Sequence, residues 1–229
     1  MENAKLFPPD RGHIGTDESG KGDFFGPLVV AAFYVPEGQD EVLRTLGVKD
    51  SKKTTDRRTY ELAGLLKKSY VYSVVAIGPE KYNELYAKLH NLNRLLAWGH
   101  ARAIENVLER VPAEKVLTDK FGDERFVRNA LMQKGRTITL VQQPRAEEDP
   151  AVAAASILAR AEFLNRLRGL GDDAGVELPK GASAEVEAAA VRLVREKGPG
   201  ILDKVAKTHF KTTERVLRAA GILPRGSLT

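Results

Sequence analysis

The sequence has no cysteine, only two methionines and one tryptophan, and no long apolar run. Without cysteine, a disulfide scaffold, thiolate catalysis and iron–sulfur ligation are excluded, and a bound metal has to rely on oxygen ligands. No apolar run approaches the ~20 residues of a membrane span. The first ten residues carry two prolines where a signal peptide would carry its apolar stretch. These absences predict a cytoplasmic protein with no membrane partner.

The composition is that of a folded, mildly basic chain. Its 229 residues fit one α/β core with an appendage. Thirty-six lysines and arginines against 31 acidic residues give a net charge of +5, with a pI near 9.3. This weak bias towards polyanionic partners favours nucleic acid only slightly. The four histidines share no local spacing that would mark a metal site.

Segments of strand and of helix character interleave along the chain. Strands are predicted at 13–17, 26–35, 70–77, 115–118 and 136–141. Helices are predicted at 97–111, 151–167, 184–197 and in a tail at 201–220. This order predicts an α/β fold with a mixed central sheet flanked by helices, in which the second strand, apolar on both faces, lies centrally. Trp98, on the first predicted helix, is expected in the core.

A glycine-rich segment overlaps the end of the first strand. Residues 15–22 read Gly-Thr-Asp-Glu-Ser-Gly-Lys-Gly, which nearly matches a phosphate-binding P-loop. However, glycine occupies the place of the metal-binding hydroxyl, and two carboxylates inside the loop would repel phosphate. We therefore reject a nucleotide-hydrolysing P-loop.

The two acids in this segment suit a different role. Asp17 and Glu18 end a central strand beside glycines that allow a sharp turn, which suits a divalent cation with a substrate backbone close by. Asp119 ends another predicted strand, and three acids at 147–149 precede an alanine-rich helix. Acids from three segments can thus converge on one edge of the sheet. Each acid alone is also compatible with a solvated turn, and Asp149 with a helix N-cap.

Seven segments, in order, carry a resemblance to a known family. They lie at 17–27, 48–53, 81–85, 119–121, 145–157, 178–183 and 209–212, and include Asp-Glu-Ser-Gly-Lys-Gly, Leu-Pro-Lys-Gly-Ala-Ser and His-Phe-Lys-Thr. Through them the chain resembles type 2 ribonucleases H, specifically ribonuclease HIII, over about residues 13–220. The resemblance implies a ribonuclease H-like fold, endonucleolytic cleavage of the RNA strand of RNA·DNA hybrids, and Mg²⁺ or Mn²⁺ as cofactor. It divides the chain into an N-terminal segment (1–12), a catalytic core (13–178) and a C-terminal helical extension packed on the core (179–229).

The resemblance also assigns roles to residues. The implied catalytic acids and metal ligands are Asp17, Glu18, Asp119 and Glu147, with Glu148 and Asp149 left open as the fourth acid because the loop before Pro150 is one residue short. Two cations about 3.5–4 Å apart would activate a water and stabilise the leaving oxygen, giving 5′-phosphate and 3′-hydroxyl ends. The backbone of residues 19–22 would read the 2′-hydroxyl. The implied substrate-binding residues are Ser19, Gly20, Lys21, Gly22, Lys49, Ser51, Lys52, Lys180, Ser183, His209 and Lys211, of which the two later serines can alternatively cap turns.

Departures from the family pattern keep alternatives open. Only about a dozen residues precede the first strand, where ribonuclease HIII usually has an extra N-terminal domain. Ala182 stands where ribonuclease HII usually has a tyrosine that reads a single ribonucleotide, and residues 20–22 are Gly-Lys-Gly rather than Gly-Arg-Gly. The alternatives are ribonuclease HII-like cutting at single embedded ribonucleotides and a non-catalytic hybrid-binding module. A DNA resolvase or transposase is disfavoured by Gly-Lys-Gly. We expect a monomer.

Overall fold

The computed structural model describes residues 12–48, 54–119, 124–131, 135 and 138–223. Its strands are β1 (His13–Ser19), β2 (Leu28–Val35), β3 (Tyr72–Ile77), β4 (Lys115–Asp119) and β5 (Thr139–Gln143). Its helices are α1 (Asp40–Thr45), α2 (Asp56–Ser69), α3 (Pro79–Leu89), α4 (Leu92–Leu108), α5 (Glu124–Ala130), α6 (Pro150–Ala174), α7 (Ala184–Lys197), α8 (Ile201–Val205) and α9 (Lys211–Ala219), with a 3₁₀ helix at Ala146–Glu148. Lys49, Ser51 and Lys52, predicted to bind substrate, lie outside the described residues.

The strands form one mixed sheet in the order β3-β2-β1-β4-β5. β1 pairs in parallel with β4, and β4 pairs in parallel with β5. β2 is buried along nearly its whole length, which confirms its predicted central position. The α/β fold with a mixed sheet, predicted from the interleaved strands and helices, is thereby confirmed.

The apolar periodicity located the main helices better than it located their ends. α7 has the predicted bounds. The helix predicted at 97–111 begins earlier, at Leu92, and the helix predicted at 151–167 continues to Ala174. An apolar stripe marks where a helix is packed and not where its backbone hydrogen bonds stop, so the mostly polar end of α6 escaped prediction. The missed start of α4 is different, because it carries the buried Leu95 and Leu96. Among the described residues, no helix combines the length and the apolar character that a membrane crossing requires.

The prediction that Trp98 lies in the core is wrong, because 46% of this residue is exposed. The buried stripe of α4 includes Ala97, Ala101 and Ile104. Successive residues of a helix are turned by about 100°, so the side chain next to Ala97 points away from the stripe. A large aromatic residue was mistaken for a core residue on its type alone.

The chain divides into two compact units. The first comprises Met1–Glu18, Val30–Val75 and Leu96–Ala161, and the second comprises Ser19–Val29, Ala76–Leu95 and Glu162–Thr229. In the first unit, Ile14, Val30, Ile104 and Val116 belong to one buried core shared by three strands and α4. In the second unit, α7 packs on α8 and α9, and α3 packs on α8. The division into a core at 13–178 and an extension at 179–229 stays a prediction.

The start of α6 lies directly against β1 in the first unit. A Cβ atom at Gly15 would come within 2.2 Å of the backbone of Ala151 and Val152, so only glycine allows this close crossing. The alanines at 153–155 are also buried and keep the helix close to the sheet. This packing brings Ser156 alongside the end of β1.

Candidate active site

Two aspartates end neighbouring parallel strands at the same edge of the sheet. Thr16 of β1 is paired with Thr118 of β4. Asp17 and Asp119, the next residue of each strand, therefore lie side by side, on strands about 4.8 Å apart. Parallel strands in register place such a pair on the same face of the sheet. The edge thus carries two carboxylates from segments 102 positions apart in the sequence, counted from residue 17 to residue 119.

The Asp17 carboxyl group is largely withdrawn from solvent. The backbone N–H of Glu18 donates to Asp17 Oδ1 at 2.8 Å, and Ser156 makes a side-chain hydrogen bond to the same carboxyl group. Burial and then the negative charge of Glu18 raise the pKa of Asp17 to about 6, although these hydrogen bonds and His100 act in the opposite direction. A carboxylate in this environment gains more from a nearby cation than a solvated one does.

Glu18 is held by a buried histidine on α4. His100 Nε2 lies 3.3 Å from Glu18 Oε2, and His100 Nδ1 lies 2.9 Å from Thr16 Oγ1. With the proton on Nε2, the ring donates to the Glu18 carboxylate and accepts the Thr16 hydroxyl proton at Nδ1. Thr16 and Glu18 therefore share one face of β1, while Asp17 faces α6 on the other. The strand keeps its alternation through Glu18 and continues to Ser19, and the negative charge of Glu18 is still close enough to raise the pKa of Asp17.

The 3₁₀ helix carries two of the three residues considered for the fourth acid. Its Ala146 is buried in a small cluster with Leu117 of β4 and Val152. Glu147 is half-buried and Glu148 is exposed. The packing of Ala146 on β4 thus fixes the position of Glu147 relative to the strand that ends in Asp119.

Asp149 is committed to a structural role at the start of α6. Its Oδ1 accepts the Ala151 N–H at 2.9 Å, and His13 Nε2 lies 2.9 Å from the same atom. Burial by itself would raise the pKa of Asp149, but the hydrogen bonds from His13 and from the backbone outweigh this effect and lower the pKa. His13 opens β1, four residues before Asp17 and therefore about 13 Å away along the strand. The N-cap role considered for Asp149 is confirmed, and it places this carboxylate away from the Asp17 edge.

One group of three potential ligands stands out among the described residues. Ligand atoms of His13, Asp40 and Asp149 all lie within 4.8 Å of one another. This group belongs to the opening of β1, and the four predicted acids are not drawn together as closely. The donors at the other edge, Asp17 and Asp119, are nevertheless the hard carboxylate oxygens that Mg²⁺ and Mn²⁺ prefer, and they fit such cations.

The loop between β1 and β2, residues 20–27 (the glycine loop), lies in the second unit and has a conformation that requires glycine. Gly20 has a φ of +87°, and a Cβ atom there would lie 2.2 Å from the carbonyl oxygen of Pro27, so the position requires glycine. Asp23 Oδ1 accepts the N–H of Gly181 at 2.6 Å. Two segments predicted to bind substrate, at 19–22 and 180–183, are therefore connected through Asp23.

His209 lies in an aromatic cluster of the second unit. Its ring stacks on Tyr86 with centroids 4.1 Å apart and meets Phe210 edge-on at 4.7 Å. Burial, and then the charge of Lys207, lower the pKa of His209. These contacts give His209 a packing role, and its contact with substrate stays a prediction.

The remaining predicted substrate contacts lie at the surface of the same unit. Lys180 and Lys211 are exposed, and Lys21 is half-buried. Ser183 is the N-cap of α7 and accepts the Val186 N–H at 3.5 Å, as its alternative role as a cap predicts. Accepting this bond leaves the hydroxyl proton for a phosphate oxygen.

Three residues with roles around these groups were missed by reasoning on the sequence. His100 and Lys207 were given no role, and Ser156 was noted only as part of an alanine-rich segment. Lys207 lies two residues before a segment that carries the family resemblance, which was the available signal. His100 had none, because its partners lie more than eighty positions away.

Comparison with known proteins agrees with this arrangement. The model of the family described as Ribonuclease HII matches residues 14–213, and the chain belongs to this family of ribonucleases H. It is 46% identical to ribonuclease HIII of Protochlamydia amoebophila over 209 residues, which are 91% of this chain and 69% of that protein. Its identity to ribonuclease HIII of Chlamydia pneumoniae is 45% over 212 residues, 90% of this chain and 70% of that one. The resemblance to ribonuclease HIII is confirmed.

Solved structures extend the agreement to the fold. Bst-RNase HIII, crystallised in complex with Mn²⁺, superposes with a TM-score of 0.85 and 34% identity over 92% of this chain and 70% of its own. The ribonuclease H2 of Pyrococcus horikoshii superposes with a TM-score of 0.76 over 92% of this chain and 99% of its own; at 24% identity it supports the fold alone. The ribonuclease H-like fold expected from the sequence is therefore confirmed.

Proposed function

We propose that the chain is an endoribonuclease that hydrolyses the RNA strand of RNA·DNA hybrids with the help of two divalent cations. The observation that carries this proposal is the pair Asp17 and Asp119, placed side by side by the register of β1 and β4. Family membership supplies the class, a ribonuclease H hydrolase. The mildly basic charge of the chain suits a polyanionic partner. The protein acts as a monomer.

The cations are Mg²⁺ or Mn²⁺, held by Asp17, Glu18, Asp119 and Glu147. When bound, they supply a water activated for attack on the scissile phosphate and stabilisation of the leaving 3′ oxygen. The raised pKa of Asp17 supports this assignment, because burial beside Glu18 leaves a negative charge poorly compensated. The Mn²⁺ complex of the Bst relative supports the choice of ion.

The protein's own groups orient these acids. Ser156 fixes the Asp17 carboxylate from α6, and His100 fixes the Glu18 carboxylate from α4. Such partners behind ligating carboxylates determine which oxygen faces the cation. Glu147 is preferred to Asp149 as the fourth acid because Asp149 is occupied by His13 and by the start of α6.

The second unit distinguishes RNA from DNA. The amides of residues 19–22 approach a ribose closely because glycines occupy positions 20 and 22, and they bind the 2′-hydroxyl that only RNA carries. Lys21, Lys180 and Lys211 contact phosphates. Ala182 offers no aromatic surface to a junction, so a run of ribonucleotides is preferred to a single embedded one.

One comparison of substrates tests the proposal. We expect the wild-type protein with Mg²⁺ to cut a uniform RNA·DNA hybrid into fragments with 5′-phosphate and 3′-hydroxyl ends, and to cut a duplex with one embedded ribonucleotide slowly. Asp17→Asn should abolish cutting of both. Equal or faster cutting of the single-ribonucleotide duplex would favour ribonuclease HII-like activity. Binding of the hybrid without cutting by the wild type would favour a non-catalytic module.

A further inference from the structure

A fully buried lysine, Lys207, donates hydrogen bonds to the backbone of the glycine loop. Lys207 has no exposed surface, and its Nζ donates to the backbone carbonyl oxygens of Asp23 at 2.8 Å, Gly26 at 2.7 Å and Phe25 at 3.3 Å. All three acceptors belong to the segment that joins residues 19–22 to β2. One amino group therefore fixes three peptide units of a loop that has no regular secondary structure of its own.

The backbone around Lys207 adds further connections to the same loop. The Lys207 N–H donates to the carbonyl oxygen of Phe24 at 2.8 Å, and the Gly26 N–H donates to the carbonyl oxygen of Val205 at 2.8 Å. A β-bridge between Phe25 and Ala206 lies between these two bonds. The segment 205–207 thus acts as a short strand that pairs with the loop, and the Lys207 side chain returns to the same segment.

This arrangement is energetically expensive for a purely structural purpose. Burial lowers the pKa of Lys207 to about 7, and the negative charge of Asp23 only partly opposes this. Tyr82, whose ring centroid lies 5.8 Å from Nζ, is the aromatic neighbour of the amino group. An apolar side chain would fill the same space without desolvating a charge. What an apolar side chain cannot do is orient three carbonyl groups at once.

We infer that Lys207 is a positioning residue for RNA recognition: by fixing the carbonyls of Asp23, Phe25 and Gly26, it sets the conformation in which the amides of residues 19–22 meet a 2′-hydroxyl. The inference rests on the proposed function of this loop. The Asp23 N–H closes a turn on the Gly20 carbonyl oxygen at 3.4 Å, so the peptide units that Lys207 holds directly continue those of the reading segment. Asp23 Oδ1 also accepts the Gly181 N–H, so a displaced loop would disturb this contact to the 180–183 segment as well.

The experiment compares Lys207→Met with the control Lys204→Met, which removes an exposed lysine of α8 three positions earlier. Single 2′-deoxynucleotides are walked along the RNA strand of a hybrid, and kcat/KM is measured for each substrate. We expect wild type and Lys204→Met to be sensitive to deoxy substitution at one or more positions by tenfold or more. In Lys207→Met this sensitivity should fall about tenfold, the equivalent of one hydrogen bond to a 2′-hydroxyl.

A loss of folded protein alone would lower all rates by the same factor and leave the ratio between ribose and deoxyribose substrates unchanged. A constant ratio in Lys207→Met, with or without a lower rate, would therefore overturn the inference. Hydrogen exchange of the substrate-free protein gives a second reading: peptides covering residues 19–27 should exchange more than about tenfold faster in Lys207→Met, while β4 stays protected. Unchanged exchange in the loop would also overturn it.

Two further arms keep the inference separate from the proposed function. If Lys207→Met does not fold, Lys207→Gln, which keeps two N–H donors on a shorter side chain, takes its place with the same expected loss of ribose sensitivity. A wild-type protein that does not cut hybrids at all refutes the proposed function. A wild-type protein that cuts with ribose sensitivity, together with an unchanged lysine variant, refutes only the role of Lys207.

Discussion

Neutralising Asp17 should make the protein more stable while it removes activity. Asp17→Asn keeps the shape of the side chain and an oxygen that accepts the Glu18 N–H, but removes a negative charge that is buried next to Glu18. In the proposed function a cation needs this charge, and the cost of burying it should be measurable when divalent cations are chelated.

The magnitude follows from the raised pKa. A pKa of about 6 in the folded protein, against an unperturbed value of 3.8, corresponds to about 3 kcal/mol of destabilisation by the ionised form. The new amide N–H₂ group must find partners in the same place, so we expect a net gain of roughly 1–3 kcal/mol. For a chain of this size that is a rise in Tm of about 3–10 °C.

The sign of the pH dependence is determined by the same shift. Below pH 3.8, Asp17 is protonated in both the folded and the unfolded chain and contributes no difference. Between pH 3.8 and about 6 the folded state binds more protons, so the contribution of Asp17 to stability falls as the pH rises, and the full cost is present above pH 6. The advantage of Asp17→Asn should therefore be small near pH 4 and full at pH 7.

Urea and thermal unfolding in a chelator, at pH 4 to 8, measure this difference. The control is Asp172→Asn, which removes the charge of an exposed aspartate of α6 and should change stability little. Added Mg²⁺ should raise the Tm of wild type and have less effect on Asp17→Asn. An Asp17→Asn protein that is no more stable than wild type at pH 7, or whose advantage does not depend on pH, would refute the reasoning.

Further predictions concern the other acids, their supports and the substrate. Glu147→Gln should impair initial rates on a hybrid far more than Glu148→Gln, because the exposed residue faces solvent. Asp149→Ala should cost at least about 1 kcal/mol of unfolding free energy, because it loses the helix cap and also the contact to His13, and it should leave the rate of the folded protein nearly unchanged. His100→Asn, which loses the contact to Glu18, should lower activity or Mg²⁺ affinity about 10–100-fold in a metal titration. The logarithm of hybrid affinity should fall linearly with the logarithm of salt concentration, with a slope that is close to the number of neutralised phosphates.

A specific experimental result would contradict each of these predictions. Loss of turnover in a folded Asp149 variant would show that Asp149, and not Glu147, is the fourth acid. Equal rates in wild type and His100→Asn at limiting Mg²⁺ would show that His100 does not orient the Glu18 carboxylate for the cation. Hybrid affinity that is insensitive to salt would rule out binding through lysine–phosphate contacts.

The sequence by itself determined the class of fold and the family, and it proposed the acids of the candidate site. Periodicity is a local property, and it was sufficient for α7 and for the central strand β2, because a face that is buried has to be apolar at regular spacing. Asp17 could be proposed as a site residue for a related reason: a carboxylate in an otherwise apolar strand has few structural uses. The motif order identified the family, since it is itself a property of the linear chain.

Tertiary structure decided how these residues are supported. The register of β1 and β4 places Asp17 beside Asp119, and α4 and α6 bring His100 and Ser156 to the acids. It also showed that Asp149 caps α6 and does not join Asp17 and Asp119, and that the buried Lys207 binds the backbone of the glycine loop. Apart from the local cap at Asp149, these contacts leave no local pattern, because each joins segments that are far apart in sequence and meet only when the chain is packed.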